Sequence, residues 1–153
     1  MQYSESSVGR IFNLRIDDGE DLIAAIQDVA AREQVDSALV LLLGALRKGS
    51  VITGPEQPVI PPVPHPQPFD GGWEVIGIGS LHPGTEGPHL HLHTALGRGD
   101  RALAGCLRGR ATTYLVAEAV VIELAGCRVK RRTDPSMGIS VPHHPSDTAR
   151  PVR

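Results

Sequence analysis

Histidine and leucine alternate through the segment from His89 to His93. In an extended strand successive side chains point to opposite faces, so this period of two places the three imidazoles on one side and both leucines on the other. The segment therefore predicts a β-strand whose apolar face packs on a core. Its other face carries His89, His91 and His93, and that geometry can build a metal site.

The rest of the chain predicts further strands and one helix. Apolar residues recur at three- and four-residue intervals from Leu22 to Ala30, which predicts an amphipathic helix from Glu20 to about Glu33 with Asp18 as its cap. Glycine and proline turns separate the later strands and favour antiparallel pairing, so we expect an α/β fold of the α+β type. Strands are predicted at Gly9–Ile16, Ser37–Leu46, Trp73–Leu81, His89–Leu96 and Thr112–Leu124, with an edge strand at Gly126–Arg132.

The 153 residues fit a single domain, which we place at residues 9–132 after an N-terminal extension at 1–8. Seven prolines between Pro55 and Pro68 remove backbone donors and preset extended dihedrals. This proline density predicts an insertion at 54–72 that contains no interior strand or helix. Residues 133–153 are predicted to be a loose tail that contains basic residues and prolines.

Charge and motifs exclude several classes of function. The net charge is −2, and the basic excess of +4 in residues 128–153 is typical of a solvated tail rather than of a nucleic-acid surface. The chain contains neither a Walker nor a Rossmann motif, so no nucleotide cofactor is expected. The start lacks a secretion signal and the longest apolar run is too short to cross a bilayer, so we expect a cytoplasmic protein with no membrane partner.

The histidine strand is the strongest candidate site. Its outer histidines would be roughly 13 Å apart, so one ion can take only an adjacent pair, about 6–7 Å apart. Cys106 follows a short turn and can fold back beside the pair. Two imidazoles and one thiolate leave one tetrahedral position open, as in a ligand-binding or catalytic zinc site. The alternative is that these histidines are half-buried strand residues and Cys106 is a small buried apolar side chain.

Two charged residues are weaker candidates. Arg108 could bind an anionic ligand or the carboxylate of a neighbouring subunit, although a solvated arginine is the simpler interpretation. Glu118 faces either an interior or water, and its spacing assigns it no general-base role.

Several short motifs occur together in an order that resembles the plants-and-prokaryotes-conserved (PPC) domain family. The resemblance covers about Gly9 to Leu124. It implies a compact α/β domain that assembles as a homotrimer, with the histidine strand near the subunit boundaries. The motifs are Gly19-Glu20-Asp21-Leu22, Gly44-Ala45-Leu46, Trp73-Glu74-Val75, Pro88 to His93 with Leu96, and Gly105-Cys106-Leu107.

The resemblance also implies a site. Many prokaryotic relatives have two histidines at the positions of His91 and His93 and a third in a Gly-Gly-His-Leu motif, where this chain has Cys106. Thiolate is also a good zinc ligand, so the resemblance implies a His91, His93 and Cys106 site for Zn²⁺ or another soft divalent metal. His89, Arg108 and Glu118 would then lie around the metal ligands or bind a ligand.

Two functions remain open. The first is a trimeric PPC protein whose metal or small-ligand site has a binding or regulatory role, in a family labelled as DNA-binding. The second is a metal-dependent hydrolase or lyase that acts on a small molecule, with His89 or Glu118 moving a proton. Plant relatives carry AT-hooks, but Ala111 follows Arg108-Gly109-Arg110 where a hook needs proline, so nucleic-acid binding by that route is not supported.

Overall fold

The structure is a computed structural model that describes residues 1–145. Within that range it contains one helix and seven strands. Their bounds are β1 (Ser7–Asp17), α1 (Leu22–Arg32), β2 (Ala38–Thr53), β3 (His65–Pro83), β4 (Pro88–Arg98), β5 (Arg101–Ala125), β6 (Lys130–Thr133) and β7 (Ser140–His143). This arrangement confirms the predicted α+β class, with a sheet that is antiparallel throughout and one main helix.

The main sheet closes into a barrel because β5 is long enough to pair with three other strands. The strand order is β1-β5-β2-β3-β4, and β5 also pairs with β4. Strand β5 therefore contacts both β2 and β4 and closes the β2-β3-β4 segment into a barrel. The first part of β5 pairs with β4, and its later part lies between β1 and β2. Closure gives β4 a partner on both sides from His93 to Gly97 and fixes the register between β4 and β5.

The core follows the two-residue period of the strands. In β4, Leu90, Leu92 and Leu96 are buried, whereas the histidines point to the outer side of the barrel. This is the division that the alternating sequence predicts. The apolar stripe of α1, formed by Leu22, Ile26 and Ala30, packs against the same core.

The cap of α1 differs from the prediction. Asp21 is the N-cap, and its carboxylate accepts hydrogen bonds from the backbone N–H groups of Ile23 and Ala24. Asp18 instead accepts from the backbone N–H of Leu115 and from the side chain of Arg47. Both aspartates precede the helix, so the sequence alone does not distinguish the N-cap, Asp21, from Asp18, which connects the preceding loop to β5 by a hydrogen bond.

The proline-rich insertion is shorter than predicted. Strand β3 begins at His65 and includes Pro66 and Pro68, which pair with β2. Pairing between β3 and β4 begins only at Glu74, so these prolines have a partner strand on one side. Proline is tolerated there because the missing N–H would face outward from an edge.

The predicted loose tail is also partly ordered. Strands β6 and β7 form an antiparallel hairpin in which Arg131 lies opposite Pro142. The hairpin lies against β3. Arg150 and Arg153, which contribute to the predicted basic tail, lie outside the described residues. Among residues 1–145, no helix has the length and apolar character needed to span a membrane.

Candidate metal centre

Barrel closure brings Cys106 to the histidine strand. In the β4–β5 pairing His93 lies directly opposite Cys106, and His91 is two residues away on the same face of β4. Cys106 also lies opposite Ile52 of β2, because the partners of β5 change from β4 to β2 at this point. The pairing register therefore positions the thiol beside two imidazoles, without help from a loop.

The distances are compatible with metal coordination. The Nε2 atoms of His91 and His93 are 3.2 Å apart, and their rings are nearly perpendicular. Two nitrogens bound to one tetrahedral zinc would be about 3.4 Å apart, given zinc–nitrogen bonds of about 2.0–2.1 Å. The donor atoms of His91, His93 and Cys106 all lie within 4.8 Å of one another. These three residues therefore fit a soft divalent metal as donors.

The protonation states also suit a metal. Burial, supported by the positive charges of Arg131 and Arg108, lowers the pKa of His91 to about 4. The ring is therefore neutral near pH 7, as coordination requires. Burial raises the pKa of the Cys106 thiol, and the two arginines oppose that rise by favouring the thiolate. Metal binding at neutral pH would release the thiol proton.

His89 lies beside this donor set and is not part of it. It pairs with His82 of β3, whose Nδ1 lies 3.0 Å from the hydroxyl of Ser37. Burial lowers the pKa of both histidines. The His89 Nε2 atom is buried and has no hydrogen-bond partner within residues 1–145. Sequence analysis did not identify His82 or Ser37 as neighbours of the site.

The other two predicted site residues, Arg108 and Glu118, lie at different places along β5. Arg108 is two residues from Cys106 on β5 and its positive charge acts on the thiol, so it lies at the cluster. Glu118 lies farther along β5, opposite Arg15 of β1 and Leu43 of β2, and the structure does not bring it to the cluster.

Arg131 is a residue at the site that sequence analysis missed. It is 4 % exposed, and its Nη2 donates to the backbone oxygen of Ser140 at 2.7 Å. Burial and the charge of Arg108 lower its pKa. It stands in a short basic run of the kind that is usually solvated, so the sequence offered no signal that this one arginine turns inward.

An apolar surface adjoins the cluster. Four large side chains on the outer face of β2 and β3 are exposed, and Ile78 lies opposite His93 in the β3–β4 pairing. Ala95 and Ala104 continue this surface across β4 and β5. We call it the outer apolar face; its large side chains are Leu41, Leu43, Ile76 and Ile78.

Comparison with known proteins gives a family and a set of solved relatives. Residues 3–125 match the family model described as the Plants and Prokaryotes Conserved (PCC) domain. A metal-containing protein from Archaeoglobus fulgidus superposes with a TM-score of 0.83 at 22 % identity, over 94 % of this chain and 100 % of that one. A plant- and prokaryote-conserved protein from Pyrococcus horikoshii gives 0.82 at 23 % identity, over 94 % and 98 %.

A third solved relative, from Bacteroides thetaiotaomicron, is named a putative DNA-binding protein. It gives a TM-score of 0.76 at 21 % identity, over 90 % of this chain and 96 % of that one. At these identities the structural likeness establishes the fold. A search of curated proteins returned no match.

Proposed function

Since the chain belongs to the Plants and Prokaryotes Conserved domain family, we propose that it is a metal-binding member with a binding or regulatory role. His91, His93 and Cys106 hold a soft divalent metal, with zinc as the first choice. The observation that carries this proposal is the convergence of the three donor atoms within 4.8 Å.

The donor set also leaves room for a ligand. Zinc sites with three protein donors keep a fourth position for water or a bound molecule, whereas closed structural sites use four protein donors. Within residues 1–145 no fourth histidine, cysteine or carboxylate joins this group. The name of the Archaeoglobus relative supports a metal in this fold, although it does not identify the ion.

The proposal includes assembly into a homotrimer. The outer apolar face exposes Ile76 by 65 % and Ile78 by 57 %, and a contiguous surface of this kind marks a contact with another chain. A second copy of the chain is the occupant we propose, in line with the family resemblance. Because Ile78 lies opposite His93, the contact would lie beside the metal ligands.

Metal analysis of protein purified without a histidine tag tests the site. We expect about one metal ion per chain in the wild type, and no bound metal when His91→Ala and Cys106→Ala are combined. His65→Ala is the matched control, because His65 is an exposed histidine at the start of β3 and should leave the metal content unchanged. Equal metal content in the wild type and the double variant would contradict the proposal.

The alternative of a zinc hydrolase or lyase has narrower support. The open position would suit it, but Glu118 is not at the cluster, which leaves His89 as the proposed group to move a proton. Screening the zinc-loaded protein against ester and amide substrates tests this alternative, with His89→Gln as the diagnostic variant. Hydrolysis that depends on both metal and His89 would favour an enzyme over a binding protein.

Nucleic acid is a further partner to test, because a solved relative carries a DNA-binding name. Duplex binding should be measured at two salt concentrations, with and without residues 133–153. Binding through basic residues would weaken steeply as salt increases. Absence of binding at low salt would exclude this partner.

A further inference from the structure

The cluster is surrounded by positive charge. The charged groups that act on His91 are Arg131 and Arg108. Those that act on Cys106 are again Arg108 and Arg131. Across the described part of the chain, no carboxylate acts on either residue or on Arg131.

Arg131 is unusual for a buried arginine. A guanidinium has five N–H donors and is always charged, and when buried it is normally paired with a carboxylate. The hydrogen bond described for Arg131 reaches a backbone oxygen, and its buried Nε has no partner in residues 1–145. In residues 1–145 the Cys106 thiolate is the negative group that acts on Arg131, and a bound metal would share its charge. A buried charge without a full partner is costly, which indicates that a further negative group belongs beside it.

The proposed metal ion would increase the excess of positive charge at the cluster. A divalent ion held by one thiolate and two neutral imidazoles keeps a net positive charge, and Arg108 and Arg131 add two more. Like charges repel each other more strongly where water is excluded. An anion next to the ion would relieve the repulsion and also accept hydrogen bonds from the guanidinium groups.

We propose that a small oxyanion of the carboxylate or phosphate class binds beside the cluster and is held by Arg108 and Arg131. This inference rests on the proposed metal site and specifies its ligand class. The buried Nε2 of His89 supplies a second unpartnered polar atom near the same arginines. The metal and the anion then bind cooperatively, because each reduces the electrostatic cost of the other.

A purely structural role for Arg131 makes a different prediction. If Arg131 has only a structural role, it stabilises the β6–β7 hairpin through its hydrogen bond to the backbone oxygen of Ser140. It would then have no effect on how anions change metal affinity. The two roles therefore separate in a binding experiment, whatever the effect of Arg131 on folding.

The experiment titrates the metal-free protein with Co²⁺ and follows the absorption of the cobalt–thiolate complex. Titrations are made at one ionic strength in perchlorate, in acetate and in inorganic phosphate. We expect acetate or phosphate to tighten Co²⁺ binding by about tenfold, a typical coupling between two sites. Acetate acting alone identifies the carboxylate class, and phosphate acting alone identifies the phosphate class.

Variants assign this coupling to the two arginines. Arg108→Gln and Arg131→Gln should each remove most of the anion effect while the cobalt–thiolate band remains. Arg132→Gln, which changes the exposed neighbour on β6, is the control and should keep the full effect. If Arg131→Gln does not fold, the exposed Arg108 still decides the result.

The Co²⁺ titrations distinguish failure of the anion site from failure of the metal site. Co²⁺ binding with equal affinity in all three salts overturns the anion site and leaves the metal site in place. An anion effect that survives in both Arg108→Gln and Arg131→Gln also overturns it. No Co²⁺ binding in any salt overturns the proposed metal site itself.

Discussion

Cys106 is the sulfur donor of the proposed metal site. A thiolate favours softer ions than an imidazole does, so this one position sets metal preference. Cys106→His should retain metal binding but reduce the preference for Cd²⁺ over Co²⁺. Competition titrations of the two ions measure the change. An unchanged preference would mean that the sulfur is not a ligand, and Cys127→Ser, a change at the other free cysteine, should leave the preference as it is.

Glu123 of β5 and Arg10 of β1 form an ion pair whose contribution to stability depends on pH. Arg10 donates to Glu123 at 2.8 Å through both Nε and Nη2 and at 3.0 Å through its backbone nitrogen. These hydrogen bonds lower the pKa of Glu123 from 4.5 to about 2. Because the folded pKa is below the unfolded one, the pair stabilises the fold above about pH 4.5, and this contribution is lost as the pH falls towards 2.

Glu123→Gln should therefore flatten the dependence of the unfolding free energy on pH between about 5 and 2. Urea unfolding at several pH values measures this dependence. Glu74→Gln is a suitable control, since Glu74 is an exposed acidic residue on β3. A variant with the same acid loss of stability as the wild type would show that other carboxylates cause it.

At the scale of elements, the five strands predicted between Gly9 and Leu124 correspond to β1 to β5, although the observed strands are longer than predicted. β4 follows from the His–Leu period, and its burial agrees with the prediction. The first part of β5, from Arg101 to about Ala111, was missed because Gly105 and Gly109 interrupt its pattern. The predicted edge strand at Gly126–Arg132 overlaps β6, but its partner β7 was missed because it lies in the segment that resembles a loose tail.

Gly105 has a packing role that explains its place in β5. A Cβ at this position would lie 2.4 Å from the backbone oxygen of Ile52, a contact that requires β2 and β5 to move apart. Gly105→Ala should destabilise the protein by about 1–3 kcal/mol, as overpacking typically does. It should also weaken metal binding, because Cys106 is the next residue.

Gly97→Ala is the matched control for this prediction, since nothing lies within 4 Å of a Cβ on this β4 glycine. Urea unfolding gives the stability of both variants, and Co²⁺ titration gives their metal affinity. Equal stability of the two variants would contradict the proposed close approach of β2 and β5.

At the scale of the whole molecule, the candidate site is a product of barrel closure. The sequence could nominate His91, His93 and Cys106, but only the β4–β5 register brings the thiol opposite His93. No local pattern encodes that register, because it depends on how far β5 extends past β2 before it meets β4. The burial of Arg131 likewise depends on the position of the β6–β7 hairpin, which no local pattern encodes.

The last prediction concerns assembly and its relation to the metal. Ile76→Glu combined with Ile78→Glu places two charges on the outer apolar face, and burying them in a contact without partners would be costly. We therefore expect a trimer for the wild type and a monomer for the double variant, measured by light scattering. Val63→Glu, at an exposed apolar residue of the proline-rich segment, should remain trimeric.

The same double variant tests whether the site needs its neighbours. All three proposed ligands belong to one chain and lie within 4.8 Å of one another, so the monomer should still bind Co²⁺ and show the thiolate band. Loss of that band in a folded monomer would mean that a residue from a second copy completes the site beside His93. A wild type that is already monomeric would overturn the proposed assembly, and the metal site would then be complete in a single chain.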